Sequence, residues 1–117
     1  MPFFRKRESL YGVQIITGPR SVLLNLELLP ERIEDFEVAA YSTDGLYRNP
    51  DAGTVRSRVL EGTDEANQRY GTSFHPWVAR YAVEDFNATC PMLRWAASAI
   101  VERLALHGED GYDGHTE

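Results

Sequence analysis

Leu10-Tyr11-Gly12-Val13-Gln14-Ile15-Ile16, then Thr17-Gly18-Pro19-Arg20-Ser21, then Val22-Leu23-Leu24-Asn25-Leu26-Glu27-Leu28-Leu29 is the stretch whose reading decides the fold. Tyr11, Val13 and Ile15 alternate with Gly12, Gln14 and Ile16. Val22, Leu24, Leu26 and Leu28 alternate with Leu23, Asn25, Glu27 and Leu29. A period of two marks a strand, because successive side chains leave opposite faces of an extended backbone. The residues between the two runs carry turn chemistry, so the stretch reads as an antiparallel hairpin with one buried face.

Working outward, Pro30 ends the second strand because it donates no ladder hydrogen bond. The polar run Glu31 to Asp35 connects to a third strand, in which Phe36, Val38 and Ala40 alternate. Thr43-Asp44-Gly45 and Arg48-Asn49-Pro50-Asp51-Ala52-Gly53 are rich in turn residues and bracket Leu46 and Tyr47, which reads as a long hairpin loop. Val55, Ser57 and Val59 against Arg56, Arg58 and Leu60 predict a fourth strand with its arginines in water. Thr63 then caps a short helix with Asp64 and Glu65 in its first turn, and Gly71 stops it. Phe74 to Phe86 fits both periods; Pro76 suits a first helical turn and Glu84-Asp85 is out of character for a strand, so a helix is expected there.

The last helix is the plainest element. Thr89 caps it, Pro91 sits in its first turn, and Leu93, Ala96, Ala97, Ile100 and Leu104 form one stripe that Met92, Trp95 and Ala99 widen. Gly108 ends it. The expectation is therefore an α+β fold: an antiparallel sheet of about four strands followed by helices packed on one face, closing with a long C-terminal helix. Residues 1–108 form a single globular domain, and 109–117 a flexible acidic tail with almost nothing to bury.

With 117 residues, 43% of them hydrophobic and 13 aromatic, the chain has apolar area enough for one core. Cys90 is the lone cysteine, so no intramolecular disulfide forms and a reducing compartment fits best. Arg5-Lys6-Arg7 is followed by polar residues and not by the apolar run of a signal peptide. Pro91 to Leu106 is interrupted by Arg94, Glu102 and Arg103 and is too short to span a bilayer. A cytoplasmic protein without membrane contact is expected. The net charge of −6 disfavours direct nucleic-acid binding.

Cys90 is the sharpest chemical candidate, since a helix N-terminus stabilises a thiolate and Arg94 lies one turn on. With His75 nearby, the three residues would suit a small enzyme or a ligand-binding cleft. A simpler account makes Cys90 a small buried residue, Arg94 a surface or ion-paired arginine, and His75 an aromatic-flanked loop residue. His107 meets the negative end of the last helix, and His115 lies in the tail. No metal or other cofactor is expected: the histidines are widely spaced, no cysteine pair exists, and Asp110-Gly111-Tyr112-Asp113-Gly114 lacks the ligand offsets of a calcium loop. No phosphate-binding glycine loop follows a strand.

No catalytic motif being present, the preferred expectation is a non-enzymatic protein-interaction module, an inhibitor, immunity or accessory protein, that binds a protein partner through acidic and aromatic surface. Tyr41, Tyr47, Tyr70 and Trp77 are the candidate anchors, and Glu31 to Glu37 with Asp64-Glu65 the acidic surface. A homodimer whose sheets pair or stack is compatible with either reading.

Overall fold

The computed structural model describes residues 2–17, 20–41, 52–83 and 86–115. It is an α+β fold in which a mixed, mostly antiparallel sheet carries two helices. The hairpin forms as its pattern dictates. β2 (Leu10–Thr17) pairs antiparallel with β3 (Arg20–Leu29), with Tyr11 opposite Leu26, Val13 opposite Leu24 and Ile15 opposite Val22. All six are buried.

An additional strand precedes the hairpin: β1 (Pro2–Arg7) pairs antiparallel with β2. Its charge run conceals the strand because only Phe4 of the segment is a core residue. Lys6 shares the core side, but its ammonium lies 5.3 Å from the centre of the Tyr11 ring and 4.0 Å from Glu109, so the charge reaches the rim while the stem covers apolar surface. β4 (Glu37–Ala40) is the third strand expected from the sequence.

The strand expected at Val55 to Leu60 is helical, and so is the short helix expected after it. Both lie in α1 (Ala52–Tyr70). Val55 and Val59 are four residues apart, a spacing that satisfies a strand and a helix alike. Thr63 still fits both, but Ala66 continues the series only in the helical period, and all four are buried. Thr63 accordingly caps nothing: it lies inside the helix and donates its hydroxyl to the Leu60 carbonyl. Gly62 is where the second helix crosses, since a Cβ there would fall 2.1 Å from the Arg94 carbonyl oxygen. Gly71, at φ 66°, ends the helix as expected.

The helix expected between Phe74 and Phe86 is a strand, β5 (His75–Val83), inserted between β3 and β4. It pairs antiparallel with β3 and parallel with β4, so it supplies hydrogen-bonding partners to both. A parallel pair needs a crossover, and α1 is that crossover. Buried Asn67 ties it down, donating to the Phe74 carbonyl and accepting from the Phe74 amide and the Thr72 hydroxyl. Pro76 is tolerated because the register shifts beside it: Glu27 faces Val78 and Leu28 faces Pro76, which leaves Trp77 as the extra residue of a bulge.

α2 (Phe86–His107) begins one turn before the expected cap. Its buried residues Leu93, Ala96, Ala97, Ile100, Val101 and Leu104 match the predicted stripe, whereas Trp95 is 49% exposed and does not widen it. Gly108, at φ 70°, closes the helix. Among the described residues no helix is long and apolar enough to cross a membrane.

The segment expected as a flexible tail instead carries a core residue. Tyr112 is fully buried, meets Phe4 and Tyr11 edge-to-face at 5.6 and 5.1 Å, and donates its hydroxyl to the Gly12 carbonyl at 2.9 Å. β6 (Gly114–His115) pairs with β1, giving the order β4-β5-β3-β2-β1-β6. Tyr112→Ala should therefore cost about 3–5 kcal/mol in urea unfolding and Tyr112→Phe about 1 kcal/mol. Exposed Leu106→Ala should stay within about 0.5 kcal/mol.

Burial holds the Tyr11 phenol at about 12 against an ordinary 10.0, helped by the hydrogen bond and negative charge of Glu109. Burial also holds Tyr112 well above its usual range, with Asp113 contributing. Both raised values favour the neutral phenol in the folded state. Their contribution is intact below about pH 10; that of Tyr11 is lost as pH rises through 12 and that of Tyr112 goes on falling beyond it, so a base titration of unfolding should show stability falling from pH 10 upward, less steeply in Tyr11→Phe.

Candidate functional site

Both helices pack on the face of the sheet that carries Val13, Leu24, Ala79 and Tyr81, so among the described residues the opposite face is left without a helical layer. The same alternation that fills the core populates this open face. Register places Arg5, Gly12, Asn25, Arg80 and Ala39 in one row across five strands, and Phe3, Gln14, Leu23 and Ala82 in the next. A solvated sheet face normally alternates to polar residues. Here Phe3, Leu10, Leu23, Val78 and Ala82 lie among the polar side chains.

The centre of the face is hollow. A cavity of about 390 Å³ is floored by Gly12, Gln14, Leu23 and Asn25 and walled by Phe3, Arg5, Arg7, Leu10 and Tyr41. Gly12 makes the hollow possible: a Cβ there would lie 1.8 Å from Asn25 Oδ1. Because position 12 has no side chain, the Asn25 amide lies across it. Asn25 Nδ2 in turn donates to the hydroxyl of Tyr41, which follows β4.

Charge on this face is uneven. Arg5, Arg7 and Arg80 are exposed, and among the described residues none forms an ion pair. The Arg5 guanidinium rests over the Phe3 ring at 5.5 Å. Glu27 and Glu37 share the face but do not line the cavity. The carboxylates of α1 are engaged elsewhere: Asp64 accepts from Arg32, Glu61 from Arg58, and Glu65 from Arg94. The Arg94 hydrogen bond holds the Glu65 carboxyl below its usual value. The acidic surface expected from the sequence is thus threaded with arginines.

Comparison with known proteins finds no matching family model, curated protein or solved structure.

The sequence-predicted site residues lie on different elements. His75 opens β5 and Cys90 lies in the first turns of α2, which starts beyond the other end of that strand. Eight strand steps alone span about 26 Å. Arg94 is exposed and bound to Glu65 and Glu61. The Cys90 side chain and Tyr47 fall outside the described residues. Among the described residues no group of His, Cys, Asp and Glu is arranged to hold a metal. Of the aromatic candidates, Tyr41 and Trp77 are each 46% exposed, and Tyr70 is half-buried at the end of α1.

Gly12 and Asn25 were not singled out by sequence, although a glycine opposite an asparagine inside a hairpin is a legible sign of close approach. The exposed hydrogen bond between Asn25 and Tyr41 contributes little to the fold, so Asn25→Ala and Tyr41→Phe should each stay within about 1 kcal/mol of the parent in urea unfolding. Leu24→Ala, one residue away on the core side, should cost about 2–5 kcal/mol.

Proposed function

We propose that the protein is a non-enzymatic interaction module, an inhibitor, immunity or accessory protein, that docks a partner protein on the open face of its sheet. The observation that carries this reading is the coexistence, on the face opposite the helices, of apolar side chains, the exposed ring of Tyr41 and three arginines without ion-pair partners among the described residues. Interface centres combine apolar and aromatic anchors with arginine, and this face has that composition. The alternative of a small enzyme or ligand-binding cleft built on His75, Cys90 and Arg94 has less support, since Arg94 is engaged by Glu65 and His75 lies at the end of β5 away from α2 in the chain.

The reading changes the polarity of the expected interface. The sequence suggested an acidic contact surface; the open face offers cationic and apolar groups, so the partner is complementary if it is acidic. Affinity capture with the tagged protein tests this. A stoichiometric protein partner should be retained by Trp95→Ala on α2 and should bind at least about tenfold more weakly to Leu23→Glu and to Arg5→Glu. Loss of the partner through Trp95→Ala with full retention by both sheet variants would move the interface to the helices. A purified protein carrying only a bound small molecule would overturn the docking reading.

A further inference from the structure

We propose that the cavity around Asn25 and Tyr41 is a carboxylate-recognition site that receives an acidic side chain of the partner polypeptide. This deepens the docking reading and rests on it. The cavity volume of about 390 Å³ lies within the range of sites that enclose a small group.

Hydrogen-bond donors are in excess at Asn25 and Tyr41. An asparagine amide carries two N–H donors and one acceptor oxygen, and a tyrosine hydroxyl carries one donor. Asn25 Nδ2 gives one hydrogen to the Tyr41 oxygen. The second amide hydrogen and the Tyr41 proton then have no acceptor among the described residues. Were the amide turned over, its oxygen would accept from Tyr41 and both amide hydrogens would be free. In either arrangement the pair presents two donors to whatever occupies the cavity. A carboxylate, which accepts through two oxygens and donates nothing, is the side chain that satisfies both.

Charge selects in the same direction. Arg5 and Arg80 flank Asn25 in its row of the sheet and Arg7 stands at the cavity wall, while no carboxylate lines the cavity among the described residues. The net charge of −6 does not reverse this, because screening limits a charge to its neighbourhood of about 8–10 Å. Leu23, Phe3 and Leu10 give the site an apolar flank, which suits a carboxylate presented between apolar residues better than a hydrated phosphate.

Gly12 is a positioning residue in this scheme. Any side chain at position 12 takes the space of the Asn25 amide, so Gly12→Ala turns the donors away without altering a charge.

The test uses the full chain, isotopically labelled, with two capped peptides as probes: acetyl-Leu-Glu-Leu-amide and the neutral acetyl-Leu-Gln-Leu-amide. The glutamate peptide should shift the resonances of the Asn25 side-chain amide and the Gly12 backbone amide saturably. The glutamine peptide should bind about tenfold more weakly. Gly12→Ala and Tyr41→Phe should each weaken the glutamate peptide about tenfold; Tyr41→Phe, which alters an exposed hydroxyl, keeps the test decisive if Gly12→Ala does not fold. Equal binding of the two peptides overturns the proposal. So do inorganic phosphate shifting these resonances where the peptide does not, and an absence of shifts at about 10 mM peptide. A partner lost by Leu23→Glu yet held undiminished by Gly12→Ala and Tyr41→Phe would overturn carboxylate recognition while leaving the docking reading standing.

Discussion

The pairing of Gly12 with Asn25 and of Val13 with Leu24 is the constraint on which the molecule depends. Side chains alternate strictly along both strands, so this register sends Tyr11, Val13, Ile15, Val22, Leu24 and Leu26 together into the core. A slip of one residue would bring Gly12, Gln14 and Asn25 inward and expose the apolar set, exchanging the faces of the whole sheet. The same register sets the open face. Gly12 stands opposite Asn25, which leaves room for the amide, and the carbonyl of Gly12 accepts the hydroxyl of Tyr112 from the segment that follows α2. Core, open-face cavity and the docking of the C-terminal segment thus share one pair of neighbouring residues.

How much of the fold was legible follows from how many periods each segment satisfies. The β2–β3 hairpin and β4 carry one unambiguous pattern and formed as read, and α2 formed with its core stripe but an earlier start. Val55 and Val59 satisfy two patterns, and the helix emerges only when the window extends past Thr63 to Ala66. The segment His75 to Val83 also satisfies two. What decides it is tertiary: β3 has a second edge to satisfy, and a helix cannot supply a ladder to it. β1 and Tyr112 were concealed for a related reason. Composition averages over a segment, and a charged or glycine-rich segment that contributes a single large core residue looks solvated.

Legibility of the site was poorer, because sequence draws attention to reactive side chains. Cys90, Arg94 and His75 bear chemistry, but His75 opens β5 while the other two lie on α2. Exposure of Tyr41 and Trp77 agreed with their reading as surface aromatics. Trp77 is exposed through a bulge that no periodicity announces, and Tyr41 acquires its significance from Asn25, a residue far from it in sequence. A concave site on a sheet is made by what neighbouring strands lack as much as by what they carry, and an absent side chain is recognised only once its register partner is known.

The insertion of β5 between β3 and β4 has a consequence for how the chain reaches this state. Local hairpin contacts can assemble β1, β2 and β3 early, but the free edge of β3 stays open until α1 has formed and its crossover has delivered β5. That edge belongs to Val22-Leu23-Leu24-Asn25-Leu26-Glu27-Leu28-Leu29, an apolar run that invites pairing with another chain while it waits. Glu27 is the only charge within it and thereby acts as its gatekeeper during folding. The longer α1 takes to close, the longer this edge stands open to a second chain.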